Sequence, residues 1–168
     1  QAYGQEHTIT KNFTYDNNGR VTDVYHQLDN YNSVHMIHNT YDEKGRLTQK
    51  SLHEAEGSFA QQLDYSYNIQ GWMNSINDMN ALGDDAFAMQ LTYNNCSEGY
   101  YNGNIWKQSW KSMQFTNQKT YEYAYDGANR LTSAMYSGNN YDFSTGPYEY
   151  DLNGNIEGLI RKGYFDQN

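Results

Sequence analysis

The sequence predicts an all-β fold of consecutive antiparallel β-hairpins that form one curved, twisted sheet. The first observation is a recurring phrase: residues 13–24 read FTYDNNGRVTDV, residues 39–50 read NTYDEKGRLTQK and residues 123–134 read YAYDGANRLTSA. Weaker copies occupy residues 65–76 and 148–159. The second observation is the period, because the turn glycine recurs every 26 residues over the first three copies. A fixed period of this length indicates one supersecondary unit per repeat.

Each copy has the residue preferences of a tight hairpin turn. In the first copy, Asp16 stands where a carboxylate can accept from backbone N–H groups two residues on. Gly19 stands where a positive φ is needed. Asn129 replaces this glycine in a later copy, and Asn is the non-glycine residue best able to adopt that conformation. The predicted turns lie near residues 16–19, 42–45, 68–71, 101–104, 126–129 and 151–154.

The residues of each hairpin divide between the two faces of the ribbon. In the first hairpin the turn makes Tyr15 face Val21 and places Phe13 on the same side. Thr14 and Thr22 share the other side. We expect the Tyr and aliphatic side to face inward, because a chain with a mean hydropathy of -1.02 and 18 Tyr has to bury amphipathic rings.

The predicted organisation is a single repeat-array domain, residues 1–168, of about six hairpin units, and a piece of a longer array. One unit carries about six extra residues within 78–103, where residues 80–85 read as a longer loop. Phe87, Met89, Leu91 and Tyr93 then alternate as a strand. Residues 105–115 read as one strand longer than its counterparts.

Composition excludes several kinds of partner. The net charge is -9 and the 11 basic residues are scattered, which argues against binding to nucleic acid or an anionic membrane surface. No stretch approaches 18 apolar residues, so no membrane insertion is expected. Cys96 is the only cysteine and cannot form an internal disulfide. No signal peptide is present, so a leader is not part of this sequence if the protein is secreted.

No catalytic, cofactor or metal site is expected. His35 and His38 are three residues apart, and strand alternation would point them to opposite faces, away from a shared zinc ion. The segment from Asp78 begins like a calcium loop, but Leu82 and Met89 occupy positions where ligands are required. The sequence surroundings of Cys96 and of the paired carboxylates, such as 84–85, show no orienting motif for an enzyme.

The ring-rich faces are the better candidates for ligand binding. Trp, Tyr and Asn together can form a platform for sugars, with rings against the apolar faces of pyranoses and amides on the hydroxyls. Trp72, Trp106 and Trp110 are the candidate ligand-binding residues. The alternative is that these rings pack between strands, which a chain with few aliphatic residues favours.

The repeated phrase resembles a known family. The pattern Tyr-Asp-x-x-Gly-Arg-Leu-Thr, as at residues 41–48, is similar to the YD repeat of the RHS-repeat family of large bacterial surface and secreted proteins, which the animal teneurins share. The resemblance extends from Phe13 to about Arg161. It implies hairpins side by side in a long sheet that spirals into a hollow shell, often around a toxin or enzyme. The Asp-Pro of the family's self-cleaving core region is absent here.

The resemblance therefore implies a non-enzymatic structural or interaction segment of a bacterial cell-surface or secreted RHS/YD-repeat protein, part of a shell around a toxin or effector. The alternative is a carbohydrate-binding or adhesion module that uses exposed Trp and Tyr. The expected partners are neighbouring repeats of the parent protein, a glycan or protein partner, and other copies through edge strands. The expected location is extracellular or at the cell surface.

Overall fold

The computed structural model describes residues 4, 6–94, 101–138 and 140–163. Every regular element in these ranges is a β-strand, and strand order in the sheet follows chain order. The prediction of an all-β fold of consecutive antiparallel hairpins is confirmed. The strands are β1 Ile9–Tyr15, β2 Val21–Leu28, β3 Val34–Tyr41, β4 Leu47–Ala55, β5 Ser58–Tyr67, β6 Met73–Ile76, β7 Phe87–Thr92, β8 Lys107–Ser112, β9 Phe115–Tyr125, β10 Leu131–Ser137, β11 Thr145–Tyr150 and β12 Ile156–Arg161.

The chain divides into two compact units, Gln1–Tyr65 and Ser66–Asn168. The first unit contains β1 to β4 and most of β5, and each of these strands pairs with its neighbour in the chain. The second unit contains β6 to β12, which pair in the same sequential way. Among the described residues there is no helix long and apolar enough to cross a membrane.

The hairpin turns share one construction. In the first turn the Gly19 N–H donates to the Asp16 carbonyl at 3.0 Å, and the Asp16 N–H donates to the Arg20 carbonyl at 3.0 Å. Gly19 has a φ of 77°, and Tyr15 pairs with Val21 as predicted. Asn129 takes the glycine's place with a φ of 62°, also as predicted. The same pair of backbone hydrogen bonds closes the turns that begin at Asp42, Asn68, Asp126 and Asp151.

The two faces of the first hairpin are only partly as expected. Thr14 and Thr22 do share a side, with their hydroxyl oxygens 2.8 Å apart. The Tyr and aliphatic side is buried on β2, where Val24, the partner of Phe13, is 8% exposed, but not on β1, where Phe13 is 48% and Tyr15 60% exposed. All seven residues of β1 are exposed, because within the described ranges β1 has a neighbouring strand on one side only, β2. The buried described side chains are mostly small, namely Val24, Ser51, Asn77, Met79, Ala88, Ser109, Thr120, Ala134 and Ser144.

The expected long strand over residues 105–115 is wrong. β8 ends at Ser112, which pairs with Phe115, so the chain reverses there and Phe115 begins β9. Only Met113 and Gln114 form the turn, and no Gly, Asn, Asp or Pro marks it, which is why the sequence is read as one strand.

The extra residues of the fourth hairpin lie in its turn. The Trp106 N–H donates to the Thr92 carbonyl at 2.9 Å, which makes Tyr93 and Ile105 the counterparts of Tyr15 and Val21. Six more residues separate this pair than separate the first. Part of the segment, including Cys96, lies outside the described residues. Residues 80–85 form a loop between β6 and β7, and the strand expected after it is present as β7.

Candidate functional site

The recurring motif residues join one hairpin to the next. The Arg20 Nε donates to the Asp16 Oδ2 at 2.6 Å, which holds the guanidinium beside the turn. The Cζ of Arg20 lies 4.6 Å from the ring centroid of Tyr41, which belongs to the following hairpin. The Tyr41 hydroxyl donates to the Val21 carbonyl at 2.8 Å. The aspartate, arginine and tyrosine of the motif therefore form one chain of contacts that fixes adjacent hairpins.

The same arrangement returns in the second unit. Arg130 lies over the ring of Tyr150 at 4.6 Å, and the Tyr150 hydroxyl donates to the Leu131 carbonyl at 2.7 Å. Trp72 takes the arginine's place in the third hairpin, where its ring lies 5.0 Å from that of Tyr93. The Tyr93 hydroxyl again donates to a backbone carbonyl, that of Met73, at 2.8 Å. The hydrogen bond from the tyrosine hydroxyl to the preceding hairpin is therefore present even where Trp72 replaces the arginine.

The turn aspartates are held in the ionised form. The backbone N–H of Arg20 is the largest cause that lowers the pKa of Asp16, and burial, the next largest effect, opposes it. Hydrogen bonds from the Arg20 side chain and the Asn18 N–H lower the pKa further. In the last turn Asn155 replaces the arginine, and its side chain is the largest cause that lowers the pKa of Asp151. These carboxylates stabilise turns and are not free to act as acids or bases.

A cluster of titratable side chains lies across β2, β3 and β4 of the first unit. The Oδ1 of Asp23 lies 3.0 Å from the Nε2 of His35 and 2.7 Å from the Nδ1 of His38. On the far side of its ring, the Nδ1 of His35 lies 2.9 Å from the Oε2 of Glu54. The three atoms of Asp23, His35 and His38 all lie within 4.8 Å of one another. We call these three residues the Asp-His-His cluster.

A β-bulge brings the two histidines to one face. The pairing of β2 with β3 shifts between Ile37 and His35, which leaves Met36 as an extra residue in β3. An extra residue reverses the alternation of side chains beyond it. The expectation that His35 and His38 point to opposite faces is therefore wrong, because it assumed an unbroken strand. Sequence reasoning also missed the contacts of Asp23 and Glu54 with these histidines, since no sequence pattern marked the bulge that sets the register.

Packed rings hold the cluster in place. Tyr25 stacks on His35 with ring centroids 4.4 Å apart and planes 19° apart. Phe59 lies edge-on to His35 at 5.2 Å and stacks near His38 at 6.3 Å. His35 is 15% exposed at its side chain, and its buried Nε2 has no partner in hydrogen-bond geometry, although the Asp23 carboxylate is close.

The Asp23 carboxylate is strongly stabilised in its charged form. Burial by itself would raise its pKa, but hydrogen bonds from Thr14, His38 and Thr22 outweigh it and lower the pKa to about 2. Thr14 donates to Oδ2 at 2.6 Å, which leaves Oδ1 facing the two histidines. The Asp23 Oδ1 therefore lies beside one nitrogen of each histidine, the Nε2 of His35 and the Nδ1 of His38.

The three tryptophans predicted as ligand-binding residues have different surroundings, and all are half-buried. Trp110 stacks on Tyr121 at 5.7 Å with planes 18° apart, so one of its faces is covered. The Nζ of Lys107 lies 5.4 Å from the ring of Trp106. Trp72 borders a cleft of ≈ 470 Å³ together with Tyr93, Asn68, Asn74 and Gln90. Ligand binding at these residues stays a prediction.

The geometry defines an all-β array of antiparallel hairpins fixed to one another by Tyr and Arg side chains. No protein-family model matches the chain, and a search of curated proteins found no match. Solved structures do match, among them the crystal structure of TcdB2-TccC3-Cdc42, with a TM-score of 0.49 and 14% identity over 91% of this chain. The chain spans 9% of the length of that one. At this identity and TM-score the likeness carries no conclusion about activity or partners.

Proposed function

We propose that this chain is a non-enzymatic structural segment of a bacterial cell-surface or secreted RHS/YD-repeat protein, in which the hairpins form part of a shell around a toxin or effector. One observation carries the proposal. The polar groups of the residues that define the repeated motif make contacts between adjacent hairpins, as those of Arg20 and Tyr41 do. A motif whose side chains fix neighbouring hairpins to one another fits a structural role in a shell.

The contacts are repeated and local. Asp16 orients Arg20, and the next hairpin supplies the tyrosine whose hydroxyl satisfies a backbone carbonyl at the edge of the turn. Each unit therefore needs its neighbour, as in other repeat proteins, whose stability is a sum of repeats and nearest-neighbour interfaces. The neighbouring repeats of the parent protein are accordingly the first partners in this proposal, and its location is extracellular.

Deletion of one full period tests the proposal. Removing residues 16–41 joins Tyr15 directly to Asp42 and keeps the turn motif and the register intact. An array of interchangeable units is expected to remain β-rich and cooperatively folded, with lower stability. The control deletes residues 16–40, which leaves one extra residue before the turn and shifts the strand to the opposite face. The proposal fails if both deletions give the same loss of structure by circular dichroism and urea denaturation.

The cleft beside Trp72 supports a second candidate function, binding of carbohydrate on the surface of the array. It combines three aromatic residues, Trp72, Tyr93 and Tyr101, with amides that include those of Asn68, Asn74 and Gln90. Rings and amides together match the apolar faces and hydroxyls of sugars. This function would add adhesion to the structural role.

A glycan array followed by tryptophan fluorescence titration tests the second candidate. A sugar that binds is expected to lose affinity with Trp72→Ala and to keep it with Trp106→Ala and Trp110→Ala, because only Trp72 borders the cleft. Absence of any binder on the array, or equal losses from all three variants, would remove carbohydrate binding and leave the structural proposal untouched.

A further inference from the structure

We propose that the Asp-His-His cluster binds one zinc ion, held by the Oδ1 of Asp23, the Nε2 of His35 and the Nδ1 of His38. Zinc takes imidazole nitrogen and carboxylate oxygen as ligands, and three protein ligands with a fourth position for water form a recognised arrangement. The ion would join β2 to β3 at the bulge. This site is independent of the structural role proposed above, because it rests on residues outside the repeated turn.

The ligand atoms already converge on one point. Tetrahedral bonds of about 2.0 Å require ligand atoms about 3.3 Å apart. The Asp23 Oδ1 lies 3.0 Å from the His35 Nε2 and 2.7 Å from the His38 Nδ1. These two pairs of atoms need to separate by about half an ångström to admit the ion, and the two histidine nitrogens lie within 4.8 Å of each other. The side chain of His38 is 42% exposed, which leaves solvent access for the ion and a water ligand.

Residues around the cluster prepare it for a metal. Metal-bound histidines commonly donate their other ring N–H to a carboxylate, which fixes the tautomer. Glu54 accepts from the Nδ1 of His35 at 2.9 Å, so the lone pair of that ring is on Nε2, beside Asp23. Thr14 orients the Asp23 carboxylate through its other oxygen. The hydrogen bonds to Glu54 and from Thr14 thus hold His35 and Asp23 in position without using their ligand atoms, whereas the ion would replace the hydrogen bond between His38 Nδ1 and Asp23 Oδ1.

The buried Nε2 of His35 is the observation that points to a ligand. It has no hydrogen-bond partner, and the nearest polar atom is the Asp23 oxygen at 3.0 Å, outside hydrogen-bond geometry. A neutral imidazole would place its lone pair against a carboxylate oxygen, which is repulsive. A divalent cation between the two atoms removes this repulsion. A doubly protonated His35 between Asp23 and Glu54 is the competing arrangement and binds no metal.

Zinc titration of the untagged chain tests the site. After dialysis against a chelator, isothermal titration calorimetry with zinc chloride is expected to show one ion per chain, and thermal denaturation a higher midpoint with zinc than with magnesium. His38→Asn is the main variant, because this exposed ligand can be removed with little effect on packing. Its affinity is expected to fall more than 100-fold, and that of Glu54→Gln about 10- to 100-fold, as for other residues that orient metal ligands.

The His7–Asp29 pair provides the matched control. It joins the same two groups, at 2.7 Å, on the exposed surface of the same unit. His7→Asn is expected to leave zinc affinity unchanged. Absence of zinc binding by the wild-type chain would overturn the proposal. Binding that survives His38→Asn at full affinity, or that is lost with His7→Asn, would equally overturn it. Circular dichroism of each variant verifies that the chain is folded.

Discussion

Arg20 lies over the ring of Tyr41 at 4.6 Å, although the two residues belong to different hairpins. The hydroxyl of the same tyrosine reaches the carbonyl of Val21, next to the arginine, at 2.8 Å. Two adjacent residues of the first hairpin therefore hold Tyr41, Arg20 at the ring and Val21 at the hydroxyl. Because Arg130 and Tyr150 repeat this relationship, it is a property of the motif and not of one position.

Removing the hydroxyl of Tyr41 is expected to weaken the first unit. Tyr41→Phe removes one of the two side-chain donors to the Val21 carbonyl and leaves the Asn39 amide as the other, and it is expected to lower the free energy of unfolding by about 0.5–1.5 kcal/mol. Tyr15→Phe is the control, because Tyr15 holds the same motif position in the first hairpin and is 60% exposed. Its effect is expected to stay within about 0.5 kcal/mol. Urea denaturation measures both, and equal losses would contradict the interpretation.

A glycine outside the turns is expected to tolerate no side chain. A Cβ at Gly138 would lie 2.7 Å from the Cα of Lys119 and 2.9 Å from the Gln118 carbonyl, at a φ of 148°. Gly138→Ala is expected to lower the free energy of unfolding by about 1–3 kcal/mol. At Gly127 an added Cβ meets no atom within 4 Å, so Gly127→Ala is expected to be neutral or stabilising by about 0.4–1 kcal/mol. Thermal denaturation measures the stability of the two variants, and equal stability would contradict the close approach at Gly138.

Stability is expected to fall in acid through the turn carboxylates. The backbone and side chain of Arg130 lower the pKa of Asp126 from its ordinary value of 3.8. A lowered folded-state pKa contributes stability that is complete above 3.8 and is lost as the pH falls toward the folded-state value. Urea denaturation at neutral pH and at a pH below 3.8 measures this loss.

Asp126→Asn separates the charge from the hydrogen bond. Asn68 occupies the same turn position and still accepts from the Trp72 N–H at 2.8 Å, so the amide can keep the turn closed. The variant is expected to be less stable than the wild type at neutral pH and to lose less stability on acidification. An unchanged acid dependence would show that this carboxylate does not contribute to it.

The exposed first strand is expected to promote association between copies. All of β1 is exposed, including Ile9 at 64% and Phe13 at 48%. Within the described ranges β1 pairs with β2 alone, which leaves an edge available for another strand. Phe13→Lys is expected to reduce the concentration dependence seen in sedimentation velocity. Leu152→Lys, in a fully exposed turn, is the control and is expected to leave it unchanged. A monomer at all concentrations would contradict the expectation.

The turns could be predicted from the sequence because their cause is local. Asp16 and Gly19 are sufficient to specify a tight turn, and Asn129 could be recognised as a substitute for glycine. The direction of the rings could not be predicted, since it depends on which carbonyl each tyrosine reaches in the preceding hairpin. Contacts between repeats are set by registers that no single phrase encodes.

The Asp-His-His cluster shows most clearly what could not be predicted from the sequence. Period-two alternation separates His35 from His38, and only the extra residue Met36 brings them together. Likewise, the reversal between Ser112 and Phe115 uses only Met113 and Gln114, with no Gly, Asn, Asp or Pro to mark a turn. In both places a single inserted residue or a two-residue turn changes which side chains meet, and neither leaves a strong signal in composition or spacing.

The direct test of the account is a double-mutant cycle on Arg20 and Tyr41. Arg20→Gln and Tyr41→Leu, singly and together, isolate the energy of the contact from the other roles of each residue. The account predicts a coupling of about 0.5–1 kcal/mol in the free energy of unfolding, as for an arginine over a partly exposed ring. Additive losses, with a coupling indistinguishable from zero, would contradict the claim that this motif fixes each hairpin to the next.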